Sequence, residues 1–197
     1  MDKLYRAIEA LDPWDDQERR DRELLLAAIQ KLDTPLTRDN PFAHFTASSW
    51  IVNPGRTHAL MAWHNIYRTW AWTGGHADGE SDLLAVALRE AREETGVENI
   101  RPVSREIYSV EILPVHAHVK RGQFVSAHLH LNVTYLLEAD DAQPLRPKPD
   151  ENSAVSWLPL AEAADNKEEP FMAVVYRKLN EKLGKYLPVN SGFTPLP

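Results

Sequence analysis

Glu90, Glu93 and Glu94 stand at i, i+3 and i+4 in the stretch from Asp82 to Thr95. A helix there carries all three carboxylates on one face. Like charges at that spacing repel, and a fold accepts the cost more readily where a cation occupies the face. Hard oxygen donors at this density suit Mg2+ or Mn2+, ions that keep several waters and bridge to phosphate oxygens. A solvated acidic helix face is the plain alternative for an arbitrary E-x-x-E-E run. Here the run follows Gly74-Gly75, contains Arg89-Glu90 and stops at Gly96, and these companions at fixed offsets favour the chemical reading. Leu83, Leu84, Val86, Ala87 and Ala91 supply an apolar side that anchors the helix. Arg89, one residue before Glu90 and four before Glu93, is placed to orient a carboxylate. Glycines at 74, 75 and 79 let the backbone turn tightly and approach a metal or phosphate.

The whole stretch, GGHADGESDLLAVALREAREETGV from Gly74 to Val97, resembles the Nudix box, G-x5-E-x7-R-E-U-x-E-E-x-G-U, where U is a bulky apolar residue. Gly75 takes the first glycine position, Arg89-Glu90 the Arg-Glu pair, Glu93 and Glu94 the paired glutamates, and Gly96-Val97 the end. Ala91 is small for its position. Ser81 stands where the pattern has Glu, with Glu80 one residue early. The resemblance implies a Nudix fold, an α+β or α/β/α arrangement with a mixed sheet between helices, and hydrolysis of a small-molecule nucleoside diphosphate derivative. It further implies that Glu90, Glu93 and Glu94, helped by the carbonyl of Gly75, hold Mg2+ or Mn2+, that the ion lowers the pKa of the attacking water, and that Arg89 holds the loop to the helix. Glu80 reads as the stabilising carboxylate of the leading loop. The general base often lies outside the box in this family. Glu151, where a loop meets a strand in DENSAVSW, is the first candidate, ahead of Glu111 and Glu138. Two other classes stay in view: a Nudix-fold nucleotide-sensing or regulatory module, and an isomerase of a prenyl diphosphate. A pure sensor has less need of the intact carboxylates, and the isomerase would want a protonating Cys or equivalent in a chain that has no Cys. The resemblance also admits a homodimer.

His116 and His118 form one i, i+2 pair, and His128 and His130 another. On strands, both members of a pair face the same way. If Lys120 to Gln123 is a turn, all four imidazoles gather. A Zn2+ site, a polar wall facing substrate, and separately satisfied histidines are the three readings. His76, just after the glycines, is the histidine expected nearest the reaction centre. Trp63, Tyr67, Trp70 and Trp72 offer base stacking or, more commonly, core packing.

The elements that must position these groups follow from periodicity. Leu4, Ile8 and Leu11 have helical spacing up to Asp12-Pro13, and a second helix runs from Gln17 to Leu32 with Leu24, Leu25, Ala28 and Ile29 on its apolar face. Residues 1–40 thus read as an N-terminal helical extension, a cap on the domain edge or else a dimerisation element or substrate lid. Residues 41–187 form the Nudix-like domain, and 188–197 a Pro- and Gly-rich tail expected to be mobile. Within the domain, Phe45 to Val52 and Thr57 to His64 read as a hairpin around Asn53-Pro54-Gly55, and Trp70 to Thr73 leads to the glycines. Ile107 to Val119 and Phe124 to Glu138 read as two strands, Asp140 to Glu151 as a loop, Val155 to Leu158 as a short strand, Leu160 to Ala164 as a helical turn, and Pro170 to Gly184 as a helix burying Val174, Val175, Leu179 and Leu183.

Composition sets the limits. Hydrophobic content of 43% and charged content of 26% in 197 residues are ordinary for a globular chain. A net charge of −7 disfavours a nucleic-acid partner. No apolar run approaches the ~18 residues of a membrane span. With no signal-like apolar N-terminus and no cysteine, a cytoplasmic protein without a membrane partner is expected.

Overall fold

The strand β1, Ala43–Val52, is buried along its whole length, and the rest of the sheet is built on it. The computed structural model describes residues 1–120 and 122–186, so the tail at 188–197 lies outside the described residues. β1 runs parallel to β9, His128–Ala139, in continuous register from Ala43↔Leu129 to Val52↔Glu138. Its other side is shared. β4, Thr73–His76, pairs antiparallel with Thr46 to Ser49, while β2, His58–His64, meets β1 at Val52↔Ala59. The expected hairpin is therefore a tight corner. Asn53 Oδ1 there accepts from the Thr57 and His58 amides at 2.9 and 3.1 Å, and β2 turns away to pair with β3, Thr69–Ala71, and β10, Asn152–Pro159. β5, Ile100–Pro102, and β6, Ser109–Val115, both pair antiparallel with β9. The result is an eight-stranded mixed sheet.

Alternation along β1 separates two cores. Phe45, Ala47 and Ile51 pack with Leu83, Leu84, Val86, Ala87 and Ala91 of α3, Leu83–Thr95, and with Leu4, Ile8 and Leu25 from the N-terminal helices. Trp50 and Val52 pack with Val175, Tyr176 and Leu179 of the C-terminal helix. The sheet thus lies between helical layers, the mixed-sheet arrangement expected from the sequence.

The helices α1, Asp2–Glu9, and α2, Asp16–Lys31, close the edge at β6. Asp15 caps α2 by accepting from the Glu18 amide at 2.8 Å, and Glu18 accepts from the Trp14 amide at 2.8 Å, a reciprocal pairing of the capping-box type. Gln17 then donates to the carbonyl of Val110, and Asp21 accepts from the Ile112 amide, so α2 satisfies backbone groups that an edge strand leaves open. Leu25 is fully buried, but Leu24 is exposed. One helical step of about 100° carries it off the contact stripe.

The expected strand from Ile107 to Val119 is two strands. Its ladder with β9 ends at Val115, one residue after Pro114, which has no N–H to donate. The chain beyond forms a separate ribbon of β7, His118–Lys120, and β8, Gln123–Val125. Two short helical pieces follow β10: α4, Leu160–Ala163, and α5, Pro170–Lys182, which continues as a 3-10 turn through Tyr186. Val174 of α5 is exposed, contrary to expectation, while Val175, Leu179 and Leu183 are buried. Among the described residues no helix is long and apolar enough to cross a membrane.

Candidate metal centre on the acidic helix

Asp82 starts α3 by accepting from the Ala85 amide at 3.1 Å, and Gly96 ends it at φ +72°. Gly96 meets two demands at once. Its left-handed backbone suits glycine, and a Cβ there would lie 2.7 Å from Cβ of Arg146 and 3.0 Å from its nitrogen. Through that close approach the Arg146 amide donates to the Thr95 carbonyl at 2.7 Å. The loop 140–151 is thereby docked on the end of the helix. Asn152, buried at the start of β10, completes the docking: Nδ2 donates to the Glu94 carbonyl at 3.1 Å, and Oδ1 accepts from the Lys148 amide at 3.0 Å. These bonds bring Lys148 and Glu151 over the acidic face.

The structure gathers Glu90, Glu94 and Glu151, with one carboxylate oxygen of each within 4.8 Å of the other two. Glu93 stands outside this trio. Its Oε2 lies 3.1 Å from Lys148 Nζ, which also sits 3.2 Å from Glu151. Arg89 pairs with Glu90 at 3.0 Å. Gly75 faces Glu90 so closely that a Cβ would lie 2.5 Å from the carboxyl carbon. The Gly74 amide donates to Glu94 Oε1 at 2.9 Å. Glu80 accepts from the Asp82 amide at 2.8 Å and so braces the turn into α3. Glu111 and Glu138 take no part in the trio. Glu111 is paired with Lys178 at 2.9 Å, and Glu138 with Arg56 and Arg101.

Burial pushes the Glu94 carboxyl up to about 8, and the neighbouring Glu151 and Glu90 charges push the same way; the Gly74 hydrogen bond and Lys148 only partly oppose them. A buried carboxylate held against two others is a poor arrangement for an apo protein and a good one for a divalent cation. The donors are all hard oxygens, and the Gly75 backbone can approach without a side chain in the way. The residues present therefore fit Mg2+ or Mn2+.

His76, His128 and His130 gather with His44 on the other face of the sheet, since His76 follows Gly75 by one residue on β4. His116 and His118 do not join them. His116 lies between strands, and His118 turns Nδ1 to the His116 carbonyl at 2.9 Å. Trp70 and Trp72 pack against the second core, and Trp63 meets Trp70 edge-on.

Sequence reasoning passed over Lys148, Asn152 and His44. For Lys148 the signal was its place three residues before Glu151 in an otherwise aperiodic loop; for Asn152 there was none, because its role is to bridge two distant backbone segments. Asn152→Ala is expected to cost about 1–3 kcal/mol, the range for stranding buried partners. It should also speed hydrogen exchange at the Arg146 and Lys148 amides. Unchanged exchange at both would show that the loop is held by other contacts.

Comparison with known proteins agrees with this architecture. The NUDIX domain family model matches residues 43–179. Among solved structures, a C. elegans Ap4A hydrolase binary complex is 16% identical with a TM-score of 0.51, covering 72% of this chain and 98% of that one. RenU, a Nudix hydrolase from M. smegmatis, is 17% identical with a TM-score of 0.51, covering 75% and 90%. At such identities the likeness speaks to the fold. No curated protein matches the chain. With a family match over most of its length, and with that family's fold and box in place, the chain belongs to the Nudix family.

Proposed function

We propose that this protein is a Mg2+- or Mn2+-dependent hydrolase that cleaves the diphosphate linkage of a nucleoside diphosphate derivative. The observation that carries the reading is the trio of Glu90, Glu94 and Glu151, brought within one ion's reach by a helix and a docked loop. Glu90 and Glu94, with Glu93 and the Gly75 carbonyl beside them, would hold the divalent cation. Such an ion supplies charge neutralisation for the diphosphate and lowers the pKa of water. Arg89 and the Gly74 amide fix the orientation of Glu90 and Glu94. Glu151 is the general base: it sits beside the other two carboxylates on a separate loop, free of the helix register. Lys148 bridges Glu151 and Glu93 and adds a positive charge toward which phosphate oxygens can move.

The direct test is a product screen over nucleoside diphosphate sugars, dinucleoside polyphosphates and oxidised nucleotides, each with Mg2+, Mn2+ or no metal. Metal-dependent turnover of at least one class is expected. Glu151→Gln should then lower kcat about 100-fold or more, the scale of general-base catalysis, with KM nearly unchanged. Failure on every class by folded protein that binds Mg2+ would remove the hydrolase reading and leave a nucleotide-binding module.

A further inference from the structure

His44, His76 and His130 reach one place from three different strands. His44 and His130 are direct partners in the parallel β1–β9 pair. His76 lies opposite Thr46, on the face of β1 that His44 shares. One ring nitrogen of each lies within 4.8 Å of the other two. His128, two residues before His130, stands beside them, with its ring centroid 4.9 Å from His44 and 5.2 Å from His130. This face is opposite the one on which Gly75 meets Glu90, so the imidazoles and the carboxylate trio are separated by the sheet.

The tautomers point to a ligand. His44 is 4% exposed; its Nδ1 lies 3.3 Å from the Asn40 carbonyl, and its Nε2 is buried without a hydrogen-bond partner. His128 places Nδ1 2.8 Å from the Ser126 carbonyl. An imidazole that donates from Nδ1 to a carbonyl carries its lone pair on Nε2, which is how metal-ligating histidines are oriented by their surroundings. A buried Nε2 lone pair with no donor to meet it has a reason to be there if a cation completes the site.

We propose that His44, His76 and His130, with His128 as the fourth ligand, bind one transition-metal ion of the Zn2+ class. Imidazole donors select Zn2+, Co2+ or Ni2+ over Mg2+, so this site and the carboxylate centre divide divalent ions by ligand chemistry. Tetrahedral Zn2+ takes imidazole nitrogens at bonds of about 2.0–2.1 Å. His76, His128 and His130 are only partly buried and can turn inward, while His44 is anchored by Asn40. Occupancy ties β1, β4 and β9 together, and β4 is the strand that presents Gly74 and Gly75 to the acidic helix.

The test uses untagged full-length protein freed of metal by chelation, titrated with Zn2+ by calorimetry and with Co2+ by visible absorption. One equivalent of Zn2+ is expected, with Co2+ giving the intense bands of a tetrahedral site. Glu90→Gln/Glu94→Gln should retain both signals. His44→Gln and, separately, the more exposed His76→Gln should weaken Zn2+ binding about 100-fold or more and abolish the Co2+ bands, with melting curves showing that each variant folds. The site is refuted if wild-type protein takes up no Zn2+, or if both histidine variants bind as wild type does. Loss of the ion in Glu90→Gln/Glu94→Gln would also refute it, by placing the metal in the carboxylate centre.

Discussion

Replacing Glu94 by Gln is expected to lower metal-dependent turnover about 1000-fold, a loss of about 4 kcal/mol in transition-state stabilisation, while raising the stability of the metal-free protein. Both effects come from one buried charge. Gln keeps the size of the side chain and an oxygen for the Gly74 amide, so the local fold has no reason to change. It removes the carboxylate that, on the proposed assignment, holds the cation beside Glu90 and Glu151.

The stability arm has a defined sign. Glu94 titrates at about 8 in the folded protein against a reference of 4.5. The unfolded chain therefore releases this proton first as pH rises, and wild-type metal-free stability falls between those two values. Glu94→Gln should be the more stable protein at pH 8, with the advantage fading as pH approaches 4.5. Added Mg2+ should restore wild-type stability and do little for the variant. Denaturant unfolding at several pH values, with and without Mg2+, measures this directly. A variant that turns over normally, or one that is less stable than wild type at pH 8, would contradict the assignment.

The reach of the sequence depended on whether a signal was local. The acidic helix was legible because its carboxylates, its Gly96 stop and its Leu83 to Ala91 apolar side all sit in one continuous stretch. The central strand was legible for the same reason. What failed to show were relations between distant segments. The His128 and His130 pair was visible, but its partners are His44, which joins through a parallel pairing, and His76, which arrives on a third strand. The His116 and His118 pair looked equivalent and is not, because the ladder ends at Val115 and the ribbon beyond leaves the sheet. Lys148 and Asn152 belong to a loop with no period to read. Their importance comes from the Arg146-to-Thr95 and Asn152-to-Glu94 contacts that dock it.

The N-terminal helices pose a related question, since the family match begins at residue 43, yet α2 is bound into the core by charge. Lys178 of α5 is buried and contacts Glu111 of β6 at 2.9 Å, Gln17 at 2.6 Å and Glu18 of α2 at 3.4 Å. Lys182 contacts Glu18 at 2.5 Å. Glu111 also accepts from Asn132 and Thr134, and Asn132 in turn accepts from Thr46 and Ser48 of β1. Burial alone would raise the Glu18 pKa, but the charges of Lys178 and Lys182 outweigh it and hold the carboxyl low. Lys178→Met keeps the bulk of the side chain and leaves Glu111 buried without its cation. The expected cost is about 3–5 kcal/mol, the range for stranding one partner of a buried pair. Adding Glu111→Gln to Lys178→Met should recover much of the loss, because the second change removes the stranded charge. A double-mutant cycle by denaturant unfolding measures the coupling. Additive losses would mean that the two side chains act independently.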